Sequence, residues 1–182
     1  MTKYNKKGFP SALLFAFLII LALSFSSCQK KEEPKCSDIV EQMTSASKSP
    51  PFGILYSTKS SKGSPDYLSD SLAATLLGNG SLPAAITRAS DFSIRVSSSV
   101  IGFEMAAVKC QRQTDAEEIA ELFQKRIDVI RGLWNSGFSI SPQTNESGEF
   151  PPSKILIYRN YVIMALSDNC DEAVKIAKSL IG

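Results

Sequence analysis

The chain has 182 residues, with 20 Lys plus Arg against 18 Asp plus Glu, four Cys and no His. The missing imidazole excludes His-dependent triads, His-ligated zinc and haem, and imidazole acid–base chemistry. The length fits one domain with room for a sizeable core.

The chain opens on Lys3, Lys6 and Lys7, then runs without a charge over residues 12–25, and reaches Ser26 and Ser27 before Cys28. A positive segment, an apolar stretch and small residues before a cleavage point are the parts of a secretory signal. The apolar run is 14 residues, short of the ~20 that a spanning helix needs. Phe25-Ser26-Ser27-Cys28 resembles a bacterial lipobox, with Phe25 where an aliphatic residue is usual. The resemblance implies a diacylglyceryl group on Cys28, which would hold residues 28–182 to the outer face of the cell membrane. Removing residues 1–27 takes away three Lys and no acid, leaving 17 cations against 18 acids, a net charge of −1. No basic surplus then argues for nucleic acid.

Residues 28–35 read as the lipidated Cys and a polar tether, and 36–182 as a single domain. The spacing of Ile39, Val40 and Met43 predicts a short helix over 37–45, capped by Ser37. Residues 52–56 (FGILY) are a brief apolar run. Leu68, Leu72 and Leu76 predict a helix over 67–77, and Pro83 suits the start of another turn or two. Gly78-Asn79-Gly80 lacks the Lys-Ser/Thr of a phosphate loop.

The second half is more regular. Phe92, Ile94 and Val96 alternate with polar residues, which predicts a half-buried strand, and a second strand follows over 101–110. Thr114 and Glu117 match a capping box. The helix they open carries Ile119, Leu122, Phe123, Ile127, Ile130 and Leu133 on one stripe. A Ser/Asn/Gly/Pro-rich stretch over 138–153 leads to a strand at 155–158, an Arg159-Asn160 turn with Asn at positive φ, and an apolar strand over 161–166. A last helix begins near Asp168 or Asn169. The order is ββαββα behind N-terminal helical pieces. It predicts an α+β domain with a four-stranded, mainly antiparallel sheet and helices packed on one face.

From about Ser37 onward the chain resembles a family of small clostridial-type, Gram-positive lipoproteins whose shared domain has no assigned function. The residues that carry the resemblance are Asp91-Phe92-Ser93-Ile94, residues 104–109 (EMAAVK), Leu122 with Arg126, and residues 161–164 (YVIM) running into Ser167-Asp168. It implies an extracytoplasmic lipoprotein domain and supplies no reaction, substrate or partner.

Glu104 lies among apolar neighbours in the second strand, and Arg126 flanks the buried stripe of the long helix. A strand-to-helix ion pair would satisfy both, since neither charge is tolerable buried alone; an Arg facing a ligand is the alternative. Cys110 and Cys170 each follow a strand, and parallel second and fourth strands would bring them close enough for a disulfide. Lone buried thiols are the other reading. Trp134, Phe138, Tyr158 and Tyr161 gather in sequence around the long loop and second hairpin, as core residues or a ligand box. No residues are assigned to catalysis, a metal or a cofactor. The expected role is a non-enzymatic contact module in the cell envelope, partnered by the membrane through Cys28 and by an envelope protein. The alternative is a small-ligand-binding lipoprotein.

Overall fold

The computed structural model describes residues 32–78, 80–137 and 149–182. Cys28, the signal segment and most of the 138–153 stretch, Phe138 included, lie outside them. The compact unit runs Pro34–Gly182. Its helices are α1 (Cys36–Thr44), α2 (Asp70–Leu77), α3 (Ala84–Thr87), α4 (Asp115–Asn135) and α5 (Cys170–Ile181). Its strands are β1 (Gly53–Ser57), β2 (Asp91–Ser97), β3 (Glu104–Lys109), β4 (Ser153–Tyr158) and β5 (Tyr161–Leu166). This is an α+β fold on one antiparallel sheet, ordered β1-β2-β3-β5-β4.

Three expectations about the fold are corrected. The sheet has five strands, because the apolar run at 52–56 contributes β1, paired along its whole length with β2 from Gly53↔Ser97 to Ser57↔Ser93. The helices cover both faces of the sheet, not one. On the first face Phe92, Ile94, Ala106, Val108, Val162 and Met164 join Ile119, Phe123 and Ile127 of α4, with α2 and α3 closing the layer. On the second, Met105, Ala107, Ile163 and Ala165 meet Ile39, Val40 and Met43 of α1 and Ala173 and Ala177 of α5. Each fully buried Ile, Phe or Met contributes about 1.5–3 kcal/mol, so neither face is tolerable bare. The continuous apolar β5 sits between the two layers, as a strand buried on both faces must.

The third correction concerns Cys110 and Cys170. The second hairpin folds back so that β5 lies antiparallel beside β3, from Glu104↔Leu166 to Lys109↔Tyr161. Cys110 follows β3 at the start of β5, where its amide donates to the Asn160 carbonyl at 2.7 Å. Cys170 follows the other end of β5, and the two belong to cores on opposite faces. They cannot bridge; both are buried free thiols, as is Cys36.

Local details also depart from the pattern. Thr114 is helical and caps nothing with its side chain. In the tight turn it is Arg159, at φ 53°, that takes the left-handed conformation, and Asn160 does not. Ser69 is the residue that caps a helix, accepting from the Leu72 amide.

The sheet therefore has two distinct ends. At the near end the chain enters the fold. The Tyr161 hydroxyl donates to the Pro34 carbonyl at 2.8 Å, and the Cys36 amide donates to the buried Asp91 carboxylate at 2.8 Å. Pro34 and Cys36 are thus fixed to β5 and β2. At the far end lie Ser97, Glu104, Ser153 and Leu166.

Candidate functional site

A hollow of about 670 Å³ opens at the far end. The loop after α1, the β2–β3 turn, the last turn of α4, Pro151 and the β5–α5 junction surround it. The turn approaches closely because Gly102 holds φ 97°, and a Cβ there would stand 2.9 Å from Pro151 and 3.2 Å from the Trp134 ring. Trp134 is itself fixed edge-on to Phe150 at 5.8 Å, and the Arg131 guanidinium lies 5.0 Å over that same Phe150 ring. The groove joins apolar walls (Val100, Phe103, Trp134, Pro151) to polar groups on Lys48, Ser167 and Asn169. Its size falls within the ~300–1,000 Å³ typical of ligand clefts.

Two buried donors border this end without a hydrogen-bond partner among the described residues: Ser167 Oγ and Arg95 Nε. The Arg95 guanidinium does donate from Nη2 to the Pro51 carbonyl on the groove wall at 3.1 Å. Chemically, the arrangement can hold an apolar or aromatic group against Trp134 and donate hydrogen bonds to an acceptor or an anion beside Lys48. Among the described residues no group of three or more His, Cys, Asp or Glu is placed to hold a metal ion.

Glu104 and Arg126 meet on the α4 face of the sheet. Arg126 Nε donates to Glu104 Oε1 at 3.0 Å and Nη2 donates to Oε2 at 2.8 Å, a two-pronged pair. Glu104 is 2% exposed. The pair borders a crevice of only about 100 Å³ between the β2–β3 turn and α4. That volume is several times below a ligand cleft, so the pair reads as a strut that ties β3 to α4.

The tyrosines stand apart from Trp134. Tyr158 and Tyr161 are register partners at the near end, whereas Trp134 lines the far-end groove. The alternative of a ligand box, drawn from closeness in sequence, does not hold for Trp134, Tyr158 and Tyr161. Sequence reasoning missed a second ionic cluster. Asp115, buried in the first turn of α4, accepts from Arg88 Nη2 at 2.9 Å and Arg112 Nη2 at 2.8 Å. The hydrogen bonds from Arg112, then those from Arg88, pull its carboxyl down to about 2. Arg112 three residues before Asp115 was the available signal; the approach of Arg88 from α3 was not.

Burial, with the charge of nearby Asp91 adding to it, raises the Cys36 thiol well above its ordinary range. Burial likewise pushes Cys110 to about 11. Both stay protonated at neutral pH and are inert as nucleophiles. No protein-family model, no curated protein and no solved structure matches this chain.

Proposed function

We propose that this protein is a membrane-tethered, extracytoplasmic lipoprotein, held through a diacylglyceryl group on Cys28, whose domain acts by non-enzymatic contact in the cell envelope. The observation that carries the reading is the polarity of the domain. The chain enters at the near end, where Pro34 and Cys36 are fixed, while the groove opens at the opposite end of the strands. An anchor at Cys28 would leave the groove facing away from the membrane, toward a partner. The lipobox-like Phe25-Ser26-Ser27-Cys28, the 14-residue apolar run and the resemblance to clostridial-type lipoproteins support the same location. The net charge of −1 after residue 27 gives no support to a nucleic-acid partner.

A second reading, a small-ligand-binding lipoprotein, draws on the groove's volume and on its mixed lining of Trp134, Lys48 and Ser167. Photo-crosslinkers placed at Val100 and at Lys175 of the acylated protein in intact cells separate the readings. An envelope protein captured from Val100, absent from Lys175 and lost in Trp134→Ala, meets the contact reading. Crosslinks only to small molecules at Val100 favour the second, and equal capture from both positions overturns both.

A further inference from the structure

The charge balance of the whole domain conceals an uneven local distribution at the near end. Tyr158 and Tyr161 lie side by side across the β4–β5 hairpin, and Tyr161 holds the Pro34 carbonyl. Over the Tyr158 ring stand two cations, Lys178 Nζ at 5.2 Å and the Arg159 guanidinium at 5.8 Å. Lys35, exposed, follows Pro34 directly. Among the described residues none of these three is paired with a carboxylate. Arg159 donates from Nη1 to the Ile181 carbonyl, and Lys178 suits the negative end of α5. Those roles use one of the five guanidinium donors and none of the ammonium's. The acids of the adjoining segment, Glu32 and Glu33, are matched in number by Lys30 and Lys31.

The length of chain outside the fold decides what this corner faces. Five residues, 29–33, separate Cys28 from Pro34. Six Cα–Cα steps of about 3.5 Å reach at most ~20 Å. A lipid on Cys28 therefore keeps the Pro34 end within about two and a half Debye lengths of the headgroups at physiological salt, where the length is ~8 Å, and lets it come into contact. Tyr, Lys and Arg are the residues that suit a headgroup layer, with an apolar body and a polar or charged tip.

We infer that Lys35, Tyr158, Arg159 and Lys178 form a seat for the phosphate groups of anionic phospholipid, which fixes the domain upright with its groove outward. This rests on the Cys28 anchor. Each seated cation shifts the balance between docked and free orientations about fivefold on an anionic surface, and added salt of ~0.5 M weakens it.

The test uses the acylated full-length protein in vesicles of phosphatidylcholine alone or with phosphatidylglycerol, and reads lysine acetylation rates site by site. Anionic vesicles are expected to slow Lys35 and Lys178 at least about fivefold, leaving Lys48 in the groove unchanged. In Arg159→Asn/Lys178→Gln the slowing of Lys35 should largely disappear; Asn tolerates the left-handed turn position, so the backbone is spared. Protein that floats with the vesicles while Lys178 reacts as fast as Lys48 overturns the seat and leaves the anchor standing. Equal slowing on neutral and anionic vesicles overturns recognition of anionic phospholipid in favour of mere closeness. Protein that carries no acyl mass and does not float removes the anchor and the seat together.

Discussion

Removing the Arg126 guanidinium tests the strut between β3 and α4. In Arg126→Met, Glu104, 2% exposed in the wild type, loses its hydrogen bonds from Arg126, the shortest at 3.0 and 2.8 Å. Breaking a buried pair on one side costs about 3–5 kcal/mol, because the remaining charge is stranded. The Arg126 side chain is 16% exposed, so water reaches the vacated space and the lower end, ~3 kcal/mol, is expected. Glu104→Gln keeps an acceptor and loses the charge, at a cost of about 1–3 kcal/mol. The double variant Glu104→Met/Arg126→Met removes the stranded charge altogether and should recover most of the loss, to within ~1 kcal/mol of wild type. Urea melts at pH 7 of wild type, Arg126→Met, Glu104→Met and the double variant, followed by far-UV circular dichroism, give the four corners of the cycle, urea being uncharged and adding no screening salt. A loss below about 1 kcal/mol in Arg126→Met at unchanged m, or simple additivity of the two single variants, refutes the strut. Wild-type stability with lost partner capture would move the pair into the binding surface.

Asp115→Asn should destabilise the domain at neutral pH. The wild-type carboxyl, held near 2 by Arg112 and Arg88, sits below its unfolded value of ~3.9. Its contribution is therefore complete above about pH 4 and lost as pH falls toward 2; urea midpoints of the two proteins should converge over that window, and a constant gap refutes the pairing. Gly102→Ala places a Cβ against Pro151 and Trp134 in a left-handed backbone, and should lower stability by about 1–3 kcal/mol in thermal melts while altering Trp134 fluorescence; an unchanged melt counts against the groove geometry. Tyr161→Phe removes the bond to the Pro34 carbonyl, costing about 1 kcal/mol and speeding amide exchange at residues 35–37 with little change at β3. Cys36, Cys110 and Cys170 are buried free thiols, so all three should resist a thiol reagent until denaturant is added and then react together. A Cys110–Cys170 peptide in unreduced digests would contradict the antiparallel β3–β5 pairing.

What the sequence displayed was period. The Ile119, Phe123, Ile127 stripe and the alternation at Phe92, Ile94 and Val96 are local patterns, and α4 and β2 follow them. What it did not display was partnership between distant segments. Residues 52–56 are too short for their alternation to be read, and only pairing with β2 makes them a strand. The apolar run of β5 implied burial on both faces, yet part of the cover on the second face comes from α1, over 100 residues earlier in the chain, beside α5. The direction of β5 beside β3 is a matter of topology, and the feasibility of a Cys110–Cys170 disulfide depended on it. At the site, Glu104 and Arg126 were legible because an isolated charge in an apolar setting demands a partner. The groove was not: Lys48, Gly102, Trp134 and Ser167 come from four separate segments, and none breaks a local pattern.

The anchor on Cys28 is the claim from which the orientation of groove and headgroup seat both follow. Intact-mass and peptide mass spectrometry of the protein extracted from its own membranes addresses it directly. The expected N-terminal peptide begins at Cys28 and carries a diacylglyceryl thioether, with residues 1–27 gone. A peptide that retains Met1, or an unmodified Cys28 behind a different cleavage point, would contradict it.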